Sequence, residues 1–135
     1  MTSQLNVDTI KGKSTAGSIN IQGEGSNTTN LQQGIAKHWL YYKGTSTTEI
    51  KDSFNCASIA DNATGDTTTN MTTAFNTAFY SFTGNCSYGS TNNPRTLSAP
   101  YNDAINTTYI RIGSGYSGGK EDTAYNMLSI DGDLA

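Results

Sequence analysis

The sequence predicts a mainly β protein: an antiparallel β-sandwich or barrel-like head, preceded by an extended N-terminal arm and one short helix. The composition is the first reason. Hydrophobic residues make up 34% and charged residues only 14% of the 135 residues, and Thr, Ser, Asn and Gly fill the difference, which favours strands and turns over helices. The second reason is a series of short runs rich in β-branched and aromatic residues, separated by turn residues, which is typical of sandwiches and barrels.

The arm is predicted over residues 1–27, with the head over 28–135. Its two alternating runs, LNV at 5–7 and INI at 19–21, are interpreted as short strands. An isolated two-stranded hairpin is marginally stable in water, and a few aliphatic side chains cannot offset the entropy cost of ordering the whole arm. We therefore expect the arm to dock on another surface. The docking residues would be Leu5, Val7, Ile10, Ile19 and Ile21.

One helix and several strands are predicted in the head. The helix is TTNLQQGIAK at 28–37, where Thr29 or Asn30 supplies a cap and Leu31 and Ile35 share a face. The predicted strands are HWLYYK (38–43), TEIKDSFN (48–55), the hairpin CASIADNATGDTTTNMT (56–72), FYSFTG (79–84), TYIRIG (108–113) and AYNMLSI (124–130). Residues 85–107 are predicted as a long polar loop. The aromatic core material is expected to be Trp39, Tyr41, Phe54, Phe75, Phe79 and Phe82.

The charge and the apolar pattern argue against two classes of partner. The net charge is −3 and no Lys/Arg cluster is present to neutralise phosphates, which argues against nucleic-acid binding. No apolar run approaches the length of a membrane span, and MTSQLNVDTI has no signal-peptide pattern. Synthesis in a cytosol is therefore expected, with Cys56 and Cys86 reduced; a disulfide between them is the alternative.

GSGYSG at 113–118 matches the G-x-G-x-x-G dinucleotide fingerprint and follows a predicted strand. That fingerprint requires a helix N-terminus at the pyrophosphate and a further parallel strand that carries an acidic residue. The residues that follow are too few for the rest of such a sheet, although Asp131 and Asp133 are present. A Gly-rich hairpin loop is the preferred interpretation.

Other potentially chemical residues do not form a pattern. His38 is the only histidine, and a nucleophile–base relay would need it beside Cys56 or Cys86; its place in HWLYY is typical of an ordinary strand residue. DNATGD at 61–66 offers oxygen ligands for calcium but lacks the length and closing Glu of an EF-hand loop, and its turn residues explain it. We expect no catalytic constellation, no metal and no cofactor, and hence no enzyme.

Three loop tyrosines are the best candidates for ligand contacts. Tyr88, Tyr101 and Tyr116 lie among Asn, Ser, Thr and Gly, a composition that is also found on adaptable binding surfaces. Such tyrosine faces bind sugars. The alternative is that these residues are ordinary loop tyrosines that pack on the edge of the domain.

Residues 31–84 resemble a module of tail-fibre and related virion-surface proteins of tailed bacteriophages and prophages. The matching blocks are LQQGIAK, WLYY, GTST, IKDSFNCAS, DNATGDT and AFNTAFY, in this order. SQLNVDTIKGKSTAGSI is similar to the start of small proteins of marine phages. Two positions depart from the pattern: Cys56 stands where the family has an inward Val, and Thr67 replaces a frequent aromatic. Cys56 is therefore expected to be a small buried apolar residue.

This resemblance implies a structural protein of the virion surface, made in the bacterial cytoplasm and assembled as a homotrimer. The arm would dock on a capsid or tail protein while the head faces outward. A short fibre subunit and a head-decoration protein both remain open. The alternative is a receptor-binding tip for host surface glycans that uses loops 85–107 and 113–119. The family has no shared catalytic residues to carry over.

Overall fold

The structure is a computed structural model that describes residues 4–12, 19–23, 25–31, 34–89, 95–99 and 105–132. The chain divides into two compact units, Met1–Ile35 and Ala36–Ala135, whereas the sequence prediction ended the arm at residue 27. Every regular element in the described residues is a strand, so the mainly β prediction is confirmed. The strands are β1 Asn20–Gln22, β2 Thr28–Asn30, β3 His38–Lys43, β4 Glu49–Phe54, β5 Cys56–Ala63, β6 Asp66–Met71, β7 Ser81–Ser87, β8 Thr96–Ser98, β9 Tyr109–Tyr116, β10 Gly119–Lys120 and β11 Tyr125–Asp131.

The first unit contains a small antiparallel hairpin. β1 pairs with β2, and Ile21 lies opposite Thr29. Residues 28–30 were predicted to begin a helix; the β-branched Thr28 and Thr29 favour the strand that forms instead, so the helix is not confirmed, and residues 32 and 33 of it lie outside the described residues. The predicted strand at 5–7 does not form, because no described segment pairs with it.

The second unit contains two antiparallel sheets. In the first, the order is β4-β3-β11-β7. In the second, β9 is central: it pairs with β6 and β10, and also with β8, while β5 pairs with β6 as the predicted hairpin. The antiparallel sandwich prediction is confirmed. Part of the predicted loop 85–107 is wrong, because β7 extends to Ser87 and β8 lies inside it; residues 90–94 and 100–104 are not among those described.

The two sheets of this unit meet at two corners. At one, Asn55 carries the chain from β4 directly into β5 with a left-handed φ of 58°. Asn tolerates this conformation better than most residues because its short side chain bonds locally. At the other corner, an isolated antiparallel bridge between Cys86 and Arg95 connects the end of β7 to the start of β8.

The core lies between the sheets. Its buried apolar side chains are Leu40, Tyr42, Met71, Phe75, Ile110, Ile112, Leu128 and Ile130, with Cys56 and Phe82 packed against them. The prediction of Phe75 and Phe82 as core residues is confirmed. Cys56 is half-buried, in line with the inward position implied for it.

The other predicted core aromatics lie elsewhere. In β3 the buried positions are His38, Leu40 and Tyr42, so Trp39 is on the opposite face with 37% of its surface exposed. Tyr41, on the same face, is half-buried. Phe54 and Phe79 are 48% and 95% exposed. Successive side chains of a strand alternate between faces, and HWLYYK is apolar on both, so its pattern alone does not choose the inward face.

Candidate functional site

The predicted docking residues of the first unit are mostly solvent-exposed. Leu5 is 79% exposed, and Val7, Ile10 and Ile21 are between 52% and 56% exposed. Ile19 is half-buried, and its carbonyl accepts a hydrogen bond from the Leu31 amide at 2.8 Å. The first unit therefore presents a set of aliphatic side chains that this chain leaves in water.

Two of the three predicted tyrosines have their rings close to the Arg95 guanidinium. The guanidinium carbon is 5.4 Å from the ring centre of Tyr88 and 4.9 Å from that of Tyr116. The Arg95 side chain is only 7% exposed, and its Nε donates to the Glu121 carboxylate. Attraction between a guanidinium and an aromatic ring is strengthened when water is excluded, so burial of Arg95 stabilises this cluster. Tyr101 lies outside the described residues.

Strand pairing places these groups together. Tyr88 follows the end of β7, Arg95 precedes β8, and Tyr116 ends β9. Gly118 lies against Tyr116: a Cβ there would stand 2.3 Å from the ring, so another residue would force the ring to move. Sequence reasoning missed Arg95, although it is the only basic residue between 85 and 107; an isolated basic residue in a polar segment was the available signal.

A groove runs along the outer face of the second sheet, next to this cluster. Its floor includes Gly113 and Gly115 of β9, where Ser98 lies opposite Gly113 and Thr96 opposite Gly115. Lys120 of β10 faces Gly115 from the other side. The groove has a volume of about 270 Å³. The GSGYSG segment is thus the end of a strand and a tight antiparallel hairpin, so the hairpin interpretation is confirmed.

One wall of the groove is anchored by a charge cluster around Asp66. Arg111 donates through Nε to Oδ1 at 2.6 Å and through Nη2 to Oδ2 at 2.7 Å, and Lys120 Nζ donates to Oδ2 at 2.9 Å. Asn62, an extra residue at a β-bulge, donates to Oδ1 at 3.2 Å. The hydrogen bond from Arg111 is the main reason that the pKa of Asp66 lies far below its usual value, although burial opposes this. The carboxylate stays ionised.

The two acidic side chains of DNATGD at 61–66 both have partners within the protein. Asp66 is committed to the cations, and Asp61 accepts a hydrogen bond from the Thr48 hydroxyl at 3.2 Å. Within the described ranges, no group of at least three His, Cys, Asp or Glu side chains is arranged to hold a metal ion.

His38 is fully buried and packed between the sheets. Its Nδ1 lies 3.1 Å from the Asn55 carbonyl oxygen, so Nδ1 is the protonated nitrogen, and Nε2 is 3.5 Å from the Thr69 hydroxyl. Burial lowers the pKa of His38. The Thr69 hydroxyl is also 3.3 Å from the Cys56 sulfur. A hydroxyl thus separates the thiol from the imidazole, and the direct thiol–imidazole pair of a relay is not formed.

Both cysteines are free thiols. Cys86 is buried, and this burial raises the pKa of its thiol. A raised pKa reduces the thiolate fraction and therefore the nucleophilicity.

The outer face of the first sheet carries an exposed aromatic patch, which we call the outer aromatic face. Trp39 lies opposite Phe54 and Tyr41 opposite Met127, and Tyr41 stacks on Tyr125 with ring centres 6.4 Å apart. Three of these side chains, Phe54, Tyr125 and Met127, are each 46% to 48% exposed. Aromatic residues and Met are enriched at protein interfaces. Sequence reasoning missed this patch because it assigned the same aromatics to the core.

Comparisons with protein-family models, curated proteins and solved structures found no match. In the part of the chain that the structure describes, no helix is long and apolar enough to cross a bilayer. Function is therefore inferred from three surfaces: the exposed aliphatic side chains of the first unit, the outer aromatic face and the groove.

Proposed function

We propose that this protein is a structural subunit of the surface of a tailed-phage virion, either a short fibre or a capsid decoration, anchored by its N-terminal arm and assembled as a homotrimer. The proposal starts from the resemblance of residues 31–84 to virion-surface modules. The observation that supports it is the exposure of Leu5, Val7, Ile10 and Ile21, at 52% or more each. Complete burial of one such side chain contributes about 1.5–3 kcal/mol, so docking several on a capsid or tail protein provides a strong anchor.

Self-association is supported by the outer aromatic face. Large exposed apolar patches mark interaction sites. The charged residues beside this patch are balanced, with Lys43 and Lys51 against Glu49 and Asp52 on the neighbouring strands. A second copy would therefore meet no net like charge there. A head of about 100 residues also has a modest core, which oligomerisation supplements.

The anchoring role is tested in a phage that carries this gene, with the resident copy deleted and the protein supplied from a plasmid. Val7→Asp with Ile21→Asp should abolish incorporation into purified particles, because each change places a charge in an apolar contact. The matched control is Asn6→Asp with Asn20→Asp, which adds the same charge at neighbouring polar positions. Equal incorporation of both variants, measured by immunoblot of the particles, would contradict the anchoring role.

The homotrimer is tested separately by sedimentation of the full chain. The wild type should sediment at three times the monomer mass, and Trp39→Asp should shift it towards the monomer. Ser58→Asp, an exposed change on the other sheet, should not. A folded wild-type monomer at micromolar concentration, together with no trimer on the particle, would show that the oligomeric proposal is wrong.

A second candidate function is recognition of host surface glycans. It is favoured by the groove of about 270 Å³, whose walls carry the hydroxyls of Thr96 and Ser98, and by the neighbouring cluster of Tyr88, Arg95 and Tyr116. Polar groups placed around a concave surface fix the orientation of a small ligand. Binding of the labelled full chain to a glycan array tests this function; the absence of any bound glycan would exclude it.

A further inference from the structure

We propose that the groove of the second sheet takes a saccharide that carries a carboxylate. Lys120 contacts the carboxylate, and the hydroxyls of Thr96 and Ser98 contact the sugar hydroxyls. This inference deepens the glycan-recognition function and rests on it. It names the place on the molecule and the chemical class of the ligand.

The shape of the groove follows from the strand register. Thr96 and Lys120 lie on the two sides of Gly115, on the strands that flank β9. Directly opposite residues of antiparallel strands are about 5 Å apart, so a central strand without side chains leaves a trough roughly twice that width between its walls. A Cβ at Gly113 would stand 3.1 Å from the Ser98 hydroxyl, so a side chain there would occupy the trough. The volume of about 270 Å³ suits one sugar unit of a chain that continues beyond the open ends.

The charge of the groove selects an acidic ligand. Lys120 and Arg111 share the single carboxylate of Asp66 and remain 57% and 48% exposed. One positive charge of this cluster is therefore not compensated within it. Lys120 is also the only charged side chain among those that line the described groove. A lysine ammonium has three donors, so contact with Asp66 leaves donors for a ligand.

The other acidic residues near this cluster do not lie on the groove side of the sheet, so they do not neutralise its positive charge. Asp61 lies opposite Thr67, and the Thr67 side chain is bonded to Tyr42 in the core. Asp66 directly precedes Thr67 in β6, so its side chain points to the opposite face of the sheet, which is the face that carries the groove. Asp122 accepts a hydrogen bond from the Gly65 amide at 2.6 Å, and its charge adds slightly to the raised pKa of Tyr42, about 12, which is caused chiefly by burial. The positive charge of the Asp66 cluster therefore stands on the groove side of the sheet.

The end of the groove is pre-organised. Tyr116 lines it and is 48% exposed, while its ring is held by Arg95 and bordered by Gly118. A side chain that is already fixed loses little freedom when a ligand binds. Tyr116 therefore keeps this end of the groove in place when a sugar binds.

The experiment titrates the full chain with trigalacturonate and with its fully methyl-esterified, uncharged form, and follows binding by calorimetry and amide NMR shifts. We expect binding of the acid and at least about tenfold weaker binding of the ester, as a lost charge-assisted hydrogen bond implies. Lys120→Gln should weaken binding of the acid by about tenfold and leave the ester unchanged. Lys51→Gln is the matched control, since Lys51 is also an exposed lysine paired with a carboxylate, Glu49, at 2.7 Å.

A second variant tests the groove itself. Thr96→Trp fills it from an exposed wall position, and the cooperative thermal transition of each variant reports whether it folds. If the wild type bound trigalacturonate and its ester equally and Thr96→Trp bound neither, the groove would recognise glycans without selecting a carboxylate. That result would overturn the charge selection but not the glycan function. Glycan binding that survives Thr96→Trp would place recognition elsewhere and overturn the groove. No binding to trigalacturonate or to any arrayed glycan would overturn both this inference and the glycan function, without affecting the anchoring test.

Discussion

Asp66 and Arg111 form a two-point ion pair across β6 and β9, with nitrogen–oxygen distances of 2.6 and 2.7 Å. The carboxylate is 3% exposed, whereas the arginine side chain is 48% exposed. A bidentate pair of this kind adds geometric specificity as well as energy. It ties the turn of the β5–β6 hairpin to the central strand, and it holds the wall of the groove on which Lys120 lies.

Replacing this carboxylate should destabilise the head. Asp66→Asn keeps the size of the side chain but loses the charge and a second acceptor for Arg111, so we expect the free energy of unfolding to fall by about 1.5–3 kcal/mol. Urea denaturation measures the change. The comparison variant Arg111→Lys keeps the charge and loses the fork geometry, and it should cost less. A loss below the error of the measurement in Asp66→Asn would show that the pair is not stabilising.

The same pair predicts an acid-dependent loss of stability. The pKa of Asp66 is lowered in the folded state from an ordinary value of 3.8. The resulting stabilisation is fully present above that value and is lost as pH falls through and below it, since the unfolded chain then binds more protons. Wild type should therefore lose more stability than Asp66→Asn between about pH 5 and about pH 2. If the free energy of unfolding decreased equally in the two proteins over this pH range, the prediction would be wrong.

His38 predicts a separate loss at milder acidity. Burial lowers its pKa from an ordinary 6.5, so the unfolded state takes up the proton first. Stability should be greatest above about pH 6.5 and decrease as pH falls below it towards the folded-state pKa. A His38→Gln variant should lack this component, although it will be less stable overall. NMR titration of the imidazole provides a direct check: a folded-state pKa at or above 6.5 would contradict the prediction.

Asn55 should be the most sensitive position of the β4–β5 corner. Its side chain donates to the carbonyls of Lys37 and Thr73, each at 3.0 Å, and accepts from the Thr73 amide at 2.7 Å. Asn55→Ala loses these bonds and also strains at φ 58°, so we expect a loss of about 2–4 kcal/mol. Asn55→Gly tolerates the φ angle and should lose less. If both variants unfold at the same urea concentration, backbone strain contributes nothing at this corner.

Adjacent residues of β3 should respond very differently to truncation. Leu40 is 1% exposed in the core and Trp39 is 37% exposed on the outer aromatic face. Leu40→Ala should cost about 2–5 kcal/mol, as expected for a buried leucine. Trp39→Ala should cost clearly less despite the larger side chain, when measured on the dissociated protein. If Trp39→Ala cost more stability than Leu40→Ala, the assignment of the inner and outer faces of β3 would be wrong.

Removing the first unit should leave the second one folded. Among the residues that the structure describes, the buried apolar core extends from Leu40 to Ile130, within the unit Ala36–Ala135. A chain that begins at Ala36 should keep a cooperative thermal transition and the far-ultraviolet signature of a β protein. Loss of cooperativity in this chain would show that residues before Ala36 complete the head.

Strand positions in the head were largely predictable because their signals are local. HWLYYK coincides with β3, and the hairpin of residues 56–72 contains β5 and β6, since β-branched residues and turn residues act within a few positions of one another. The helix predicted over 28–37 was not confirmed because Thr28–Asn30 pairs with β1. Pairing with another segment outweighed a weak local helix preference.

The sequence by itself determined the fold class, the turns and the apolar character of the arm, all of which depend on composition and on spacing within a strand. Only the tertiary structure decided which face of β3 enters the core, because the neighbouring strands select one of two apolar faces. It also decided that Arg95 meets Tyr88 and Tyr116, and that Lys120 meets Asp66, 54 positions away. Such contacts arise from the register of strands distant in sequence, and no pattern along the chain encodes them.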